Sequence, residues 1–70
     1  MKVTINGQPK DFPADYEAPL KLYDVLAQEE VIGMMIAVAH NGNFIPKGDY
    51  AQIFIEDGDQ IEIVAPMQGG

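Results

Sequence analysis

The chain has 70 residues, 11 Asp and Glu against 4 Lys and Arg, a formal net charge of −7 and no cysteine. That length allows one domain. The missing cysteines exclude disulfides, thiolate metal sites and a cysteine nucleophile, and the single His40 cannot build a metal site alone. The acidic balance repels phosphate backbones and anionic membranes, so neither nucleic acid nor membrane is an expected partner, whereas a basic groove on another protein would attract the chain. The sequence is 47% hydrophobic, which supplies a core. No apolar stretch is long enough to span a bilayer, and Lys2 is followed by strand-like sequence rather than by the apolar segment of a signal peptide. A cytoplasmic protein, monomeric when free, is the expectation.

Taken in chain order, residues 2–6 (KVTIN) alternate with Val3 and Ile5 on one side, a short half-buried strand. Asn6-Gly7 is a strong hairpin signal, and Lys10 to Pro13 is expected to return with Phe12 inward. Residues 14–18 read as an acidic loop. Pro19 suits a helix's first turn, and Leu22, Val25 and Leu26 recur at helical spacing, so one amphipathic helix is predicted over 19–30. Gly33 marks its end or the turn after it. Met34 to Ala39 is a continuous apolar run that predicts a central strand, closed by Asn41-Gly42. Phe44 and Ile45 form a short apolar pair before Pro46, which favours an edge or a strand end. Ile53 and Ile55 alternate around Phe54. Asp57-Gly58-Asp59 is a second hairpin-type turn, and the last strand, QIEIVA, sends Ile61 and Ile63 inward and Glu62 and Val64 outward. The order strand, strand, helix, strand, short strand, strand describes an α+β domain with one helix on one face of a mixed sheet.

Two stretches carry a resemblance. The ending I-E-I-V-A-P-M-Q-G-G is similar to the L-H-L-V-L-R-L-R-G-G with which ubiquitin ends, except that Pro66 and Gln68 stand where ubiquitin has arginines. Val38, Asn41-Gly42, Ile45-Pro46, Ala51, Asp57-Gly58-Asp59, Ile61, Ile63 and Gly69-Gly70 resemble the pattern V-x-V-N-G-x-x-[IV]-P-R-x-x-W-A, D-G-D-x-[IV]-x-[IV], G-G of the sulfur carrier proteins of thiamin biosynthesis, the ThiS family. The chain departs from that pattern at Lys47 (usually Arg), at Tyr50 (usually Trp) and in the His40 that precedes Asn41. The resemblance implies a β-grasp, or ubiquitin-like, fold: a mixed four- to five-stranded sheet with one main helix over residues 1–65, and a flexible tail over 66–70.

It also implies a function. The Gly70 carboxylate would be adenylated by an ATP-dependent, ThiF-like adenylyltransferase. Sulfur from a donor such as a cysteine desulfurase would convert it to a thiocarboxylate, and a ThiG-like thiazole synthase would receive that sulfur for thiazole formation. The chain would be a protein cosubstrate with no permanently bound cofactor, ATP being used by its partner. Related alternatives are a carrier for molybdopterin or amino-acid biosynthesis and a conjugating modifier. A different class is a non-covalent β-grasp module with an inert tail. The residue types suit the carrier chemistry independently: a carboxylate is a poor electrophile and must reach a nucleotide site, and glycine, with no Cβ, keeps the approaching backbone slender.

Pro66, Met67, Gln68 and Gly69 are thus the candidate recognition elements beside the reactive Gly70. Val64, Phe54 and Glu62 are the candidate partner-binding patch on the sheet, since exposed apolar groups mark interaction sites. Tyr50 is expected to pack on the core, Lys47 to be solvated, and His40 to be an exposed polar residue. Asp57 and Asp59 are expected to serve the turn. No carboxylate pair, Ser-His-Asp order or phosphate-binding glycine loop is present, so no catalysis by this chain alone is expected.

Overall fold

Asn6-Gly7 builds the hairpin it predicts, and Asn41-Gly42, expected as a turn, builds a second one. In the computed structural model, which describes residues 1–13 and 19–65, β1 (Lys2–Ile5) and β2 (Gln8–Asp11) are joined by Asn6 and Gly7 at φ 51° and 81°. Asn41 and Gly42, at φ 50° and 83°, join β3 (Ala37–His40) to β4 (Asn43–Ile45) in the same way. Two successive left-handed residues make the turn whose twist matches that of paired strands, and Asn followed by Gly tolerates them best. β2 ends one residue before Phe12, which packs partly buried against the core.

Helix α1 (Leu22–Gln28) follows the first hairpin, a 3₁₀ helix (Lys47–Gln52) follows β4, and β5 (Gln60–Val64) closes the chain of elements. The five strands lie in the order β2-β1-β5-β3-β4. β1 and β5 run parallel; the other pairs are antiparallel. The last strand therefore occupies the centre of the sheet. Val3 and Ile5 of β1, Val38 of β3, Ile45 of β4 and Ile61 of β5 turn one face inward, and Leu22, Val25 and Leu26 of α1 cover it. Each fully buried side chain of this size contributes about 1.5–3 kcal/mol relative to exposure. The Tyr50 ring is buried in this core, as expected.

The helix is shorter than the predicted 19–30. Lys21 is extended (φ −111°, ψ 160°) and bridges Phe54; the Leu22 amide donates to the Ile53 carbonyl at 2.8 Å, and the Ile55 amide to that of Leu20 at 2.8 Å. Leu20–Lys21 and Ile53–Ile55 thus pair with each other, and residues 53–55 form only this bridge, not a strand of the sheet. The Asp24 carboxylate accepts the Lys21 amide at 2.9 Å, which satisfies one free donor at the helix start. At the other end Glu30 adopts φ 61°, with the Glu30 amide donating to the Ala27 carbonyl and the Val31 amide to that of Leu26. This is a Schellman stop with Glu at the position glycine usually fills.

The Met34–Ala39 run is also corrected. Only Ala37 onward is strand; Met34 and Met35 lie in the loop and are 52% and 80% exposed. The continuous apolar run suggested a central strand from Met34, but the helix stop at Glu30 and the left-handed Gly33 (φ 87°) postpone the ladder.

Candidate functional site

The candidate reactive end, Gly70, and the tail residues Pro66, Met67, Gln68 and Gly69 lie outside the described residues. What the structure places is the strand that leads to them. β5 sits between β1 and β3, and its end is held in register: Val64 faces Ala37 and Ile63 faces Val38. The Ile63 amide also donates to the Asn6 side-chain oxygen at 2.7 Å, which fastens β5 to the first hairpin turn. A strand paired on both sides gives a rigid departure point for whatever follows Ala65.

The outer sheet face, opposite α1, is set by the same register. Glu62 and Val64 point outward there, as their alternation requires. Their cross-strand neighbours are Ala39 and Ala37, and Phe44 stands beside Ala39 on β4. Val64 is 60% exposed and Phe44 67%. The face is therefore a shallow apolar surface, floored by two alanines, with Val64 and Phe44 raised and Glu62 between them.

Phe54 does not join it. Its backbone bridges Lys21 at the start of α1, and its exposed ring lies 6.0 Å from the Lys21 ammonium. The strand-like alternation of Ile53 and Ile55 is genuine, with Ile55 buried, but it belongs to the helix layer. Phe44 takes the place on this face that the sequence assigns to Phe54, and its position is legible from alternation. With Ile45 inward, period-two alternation puts Phe44 outward.

At the far end of β3 and β5 from the tail lies a polar cluster. The Asp59 carboxylate is nearly buried and accepts from His40 Nε2 at 2.7 Å, the Glu56 amide at 2.9 Å and Asn41 Nδ2 at 3.0 Å. Burial pushes the Asp59 carboxyl up, but the His40, Glu56 and Asn41 hydrogen bonds and the His40 charge outweigh it, so the group sits below its ordinary value. The Asn41 side-chain oxygen in turn accepts the Gln60 amide at 2.8 Å. Asp57 accepts the Lys2 amide at 2.6 Å, and the Gly58 amide donates to the Lys2 carbonyl at 2.8 Å. The Asp-Gly-Asp turn is thus a clamp joining β1, β3 and β5 and not the expected hairpin, since the segment before it bridges Lys21 instead of pairing with β5. His40 is correspondingly not an exposed polar residue: its side chain is only 19% exposed and is tied to Asp59. Among the described residues no group of three or more His, Asp or Glu is placed to hold a metal ion, and no helix is long and apolar enough to cross a membrane.

Residues 3–70 match the ThiS family. The chain belongs to the ThiS family. Its fold is also that of solved members. It is 27% identical to the thiamine biosynthesis protein ThiS of Geobacter metallireducens, whose crystal structure superposes with a TM-score of 0.76 over the whole of both chains. The solution structure of a thiamine biosynthesis protein from the same organism gives 0.78 at 25% identity, over the whole of this chain and 88% of that one. The chain is further 37% identical over 70 residues to a protein of Paramagnetospirillum magneticum named thiazole synthase, and spans 20% of that protein's length. The matched residues span the Asn41-Gly42 turn, the Asp57–Asp59 clamp and Gly69-Gly70.

Proposed function

We propose that this chain is a sulfur carrier of thiamine biosynthesis, a protein cosubstrate rather than a catalyst. In this reading the Gly70 carboxylate attacks the α-phosphorus of ATP on a ThiF-like adenylyltransferase and expels pyrophosphate. A persulfide, supplied by a donor such as a cysteine desulfurase, attacks the acyl-adenylate carbon and expels AMP. A thiol then takes up the other persulfide sulfur as a disulfide, leaving a thiocarboxylate on Gly70. A ThiG-like thiazole synthase accepts that sulfur for thiazole formation.

The observation that carries the reading is ThiS family membership that runs through Gly69 and Gly70. Two others support it. β5, the central strand, is held near its end by β3 through Val64 and by the Asn6 side chain at Ile63, so the five residues from Pro66 to Gly70 can extend from a fixed point by up to ~17 Å. The relative named thiazole synthase includes a stretch similar to this whole chain, which favours a ThiG-like acceptor. Pro66, Met67, Gln68 and Gly69 then thread the partner's channel, with strand-like backbone pairing as the recognition mode. Val64, Phe44 and Glu62 form the docking face. The net charge of −7 speeds encounter with a basic rim.

The test is charging by a ThiF-like adenylyltransferase with ATP and a sulfur donor, followed by mass spectrometry. The chain should exchange one oxygen for one sulfur; the folded Gly70-deleted chain should not. Equal charging of both would refute the proposal.

A further inference from the structure

The helix side of the molecule carries a second apolar feature, which the reading above does not use. Tyr23, Ile32, Met34 and Met35 are exposed, and all four line one open groove of about 380 Å³ between the loop after α1 and the 3₁₀ helix, where the Tyr50 ring is also reached. Contiguous exposed apolar side chains of this size mark binding surfaces, and methionine adapts its shape to what it meets. Among the described residues no acidic side chain lines the groove, and its one charged residue is Lys47. Among the described residues, Lys2 and Lys10 pair with Asp11 and Glu29, and Lys21 lies near the Phe54 ring, whereas Lys47 has no such partner. On a strongly acidic chain this groove is apolar and faintly basic.

Its position follows from the register. Val64 of β5 faces Ala37 of β3, and Val38 of β3 faces Ile45 of β4. The residues just before Ala37, Met34 to Ile36, form the groove's lip and so border the point where the chain leaves β5. Lys47 lies two residues past Ile45 on the other flank of the same segment, roughly two strand spacings, or ~10 Å, from β5.

We propose that this groove is a second docking site for the adenylyltransferase that receives the tail, filled by an apolar side-chain cluster of that enzyme with a carboxylate set to meet Lys47. The proposal rests on the reading of Gly70 as the adenylated end. An enzyme that receives the tail at the end of β5 lies next to Met35 and Ile36, which directly precede the Ala37 paired with Val64. An apolar anchor there offsets the entropy lost in ordering the tail. The charge pattern gives the occupant's chemistry: the acidic surface selects a basic rim, and the groove selects the opposite sign at one point, which fixes orientation.

The test is steady-state charging with a ThiF-like adenylyltransferase from the same genome. Met35→Asp and Lys47→Glu should each raise KM for the carrier by about tenfold, the effect of one interfacial anchor, with kcat little changed and thermal midpoints kept. A second measurement does not need charging. In a chain truncated after Ala65, labelled at its methionine methyls, the Met34 and Met35 signals should shift on titration with the same enzyme. Wild-type KM in both variants would overturn the inference and leave the carrier reading intact. Absence of charging in the wild-type chain would remove both. Methyl shifts caused in the free protein by the truncation itself would assign the groove to the chain's own tail, and shifts that depend on protein concentration would assign it to a second copy; either result overturns the proposed occupant.

Discussion

Replacing Asp59 by alanine should be among the most damaging single changes outside the apolar core. The carboxylate accepts three hydrogen bonds, from His40 Nε2, the Glu56 amide and Asn41 Nδ2, between 2.7 and 3.0 Å. A hydrogen bond to a charged group stabilises by roughly 1.5–3 kcal/mol and a neutral one by about 1. Water will reach some of the orphaned donors, so the net loss should be about 2–4 kcal/mol, a large share of the stability of a small domain. For 60–100 residues that lowers the thermal midpoint by roughly 10–25 °C. Asp59→Asn keeps an acceptor and should lose about half as much.

The same carboxylate sets an acid limit. Its folded value is depressed below the ordinary 3.8, so the stability it contributes is present above 3.8 and disappears as pH falls through the lower folded value. Thermal denaturation followed by circular dichroism, together with urea titrations run from neutral pH into acid, checks both points. A midpoint for Asp59→Ala within about 2 °C of wild type, or an acid slope unchanged in Asp59→Asn, would refute the clamp.

Other substitutions probe the remaining joints. Leu26→Ala opens a cavity at a fully buried position and should cost about 2–5 kcal/mol, visible as a shifted urea midpoint or as loss of the fold. Glu30→Gly relieves a left-handed residue at the helix stop; with a strain of roughly 1–2 kcal/mol set against glycine's extra entropy, it should raise stability by up to about 1 kcal/mol, read in the same assay. Gly42→Val forces a β-branched residue to φ 83° in the β3–β4 turn and should destabilise by at least ~1 kcal/mol. Phe44→Ala should weaken binding to the adenylyltransferase by roughly tenfold with little change in stability, while Phe54→Ala, which lies off that face, should leave the binding constant near wild type in calorimetric titration.

The parts of the fold that were legible are those ruled by short-range chemistry. Asn6-Gly7 and Asn41-Gly42 declare their turns because few other pairs accept two left-handed residues, and the last strand declares its faces by alternation. Longer-range competition hid the rest. Pro19 and the leucines after it suggested a helix from residue 19, but Leu20–Lys21 pair with Ile53–Ile55, a partnership between segments over thirty residues apart. The apolar MMIAVA run reads as a central strand throughout, yet its first residues leave a helix stop and stay in a loop. Composition does not reveal which apolar residues a fold will bury. His40 and Asp59 gave no sign of their bond, since nineteen residues separate them. Of the candidate site, Val64 and Glu62 stand where alternation puts them, Phe54 does not, and the Gly69-Gly70 signal rests on family membership.

Intact-protein mass spectrometry of the chain isolated from its own host, with fragmentation at the C-terminal end, tests the central claim most directly. The account predicts a population with one oxygen replaced by sulfur, the change localised to Gly70. A chain that carries no sulfur at Gly70 under thiamine-limited growth, or one whose Gly70 is joined to further sequence in every molecule, would contradict it.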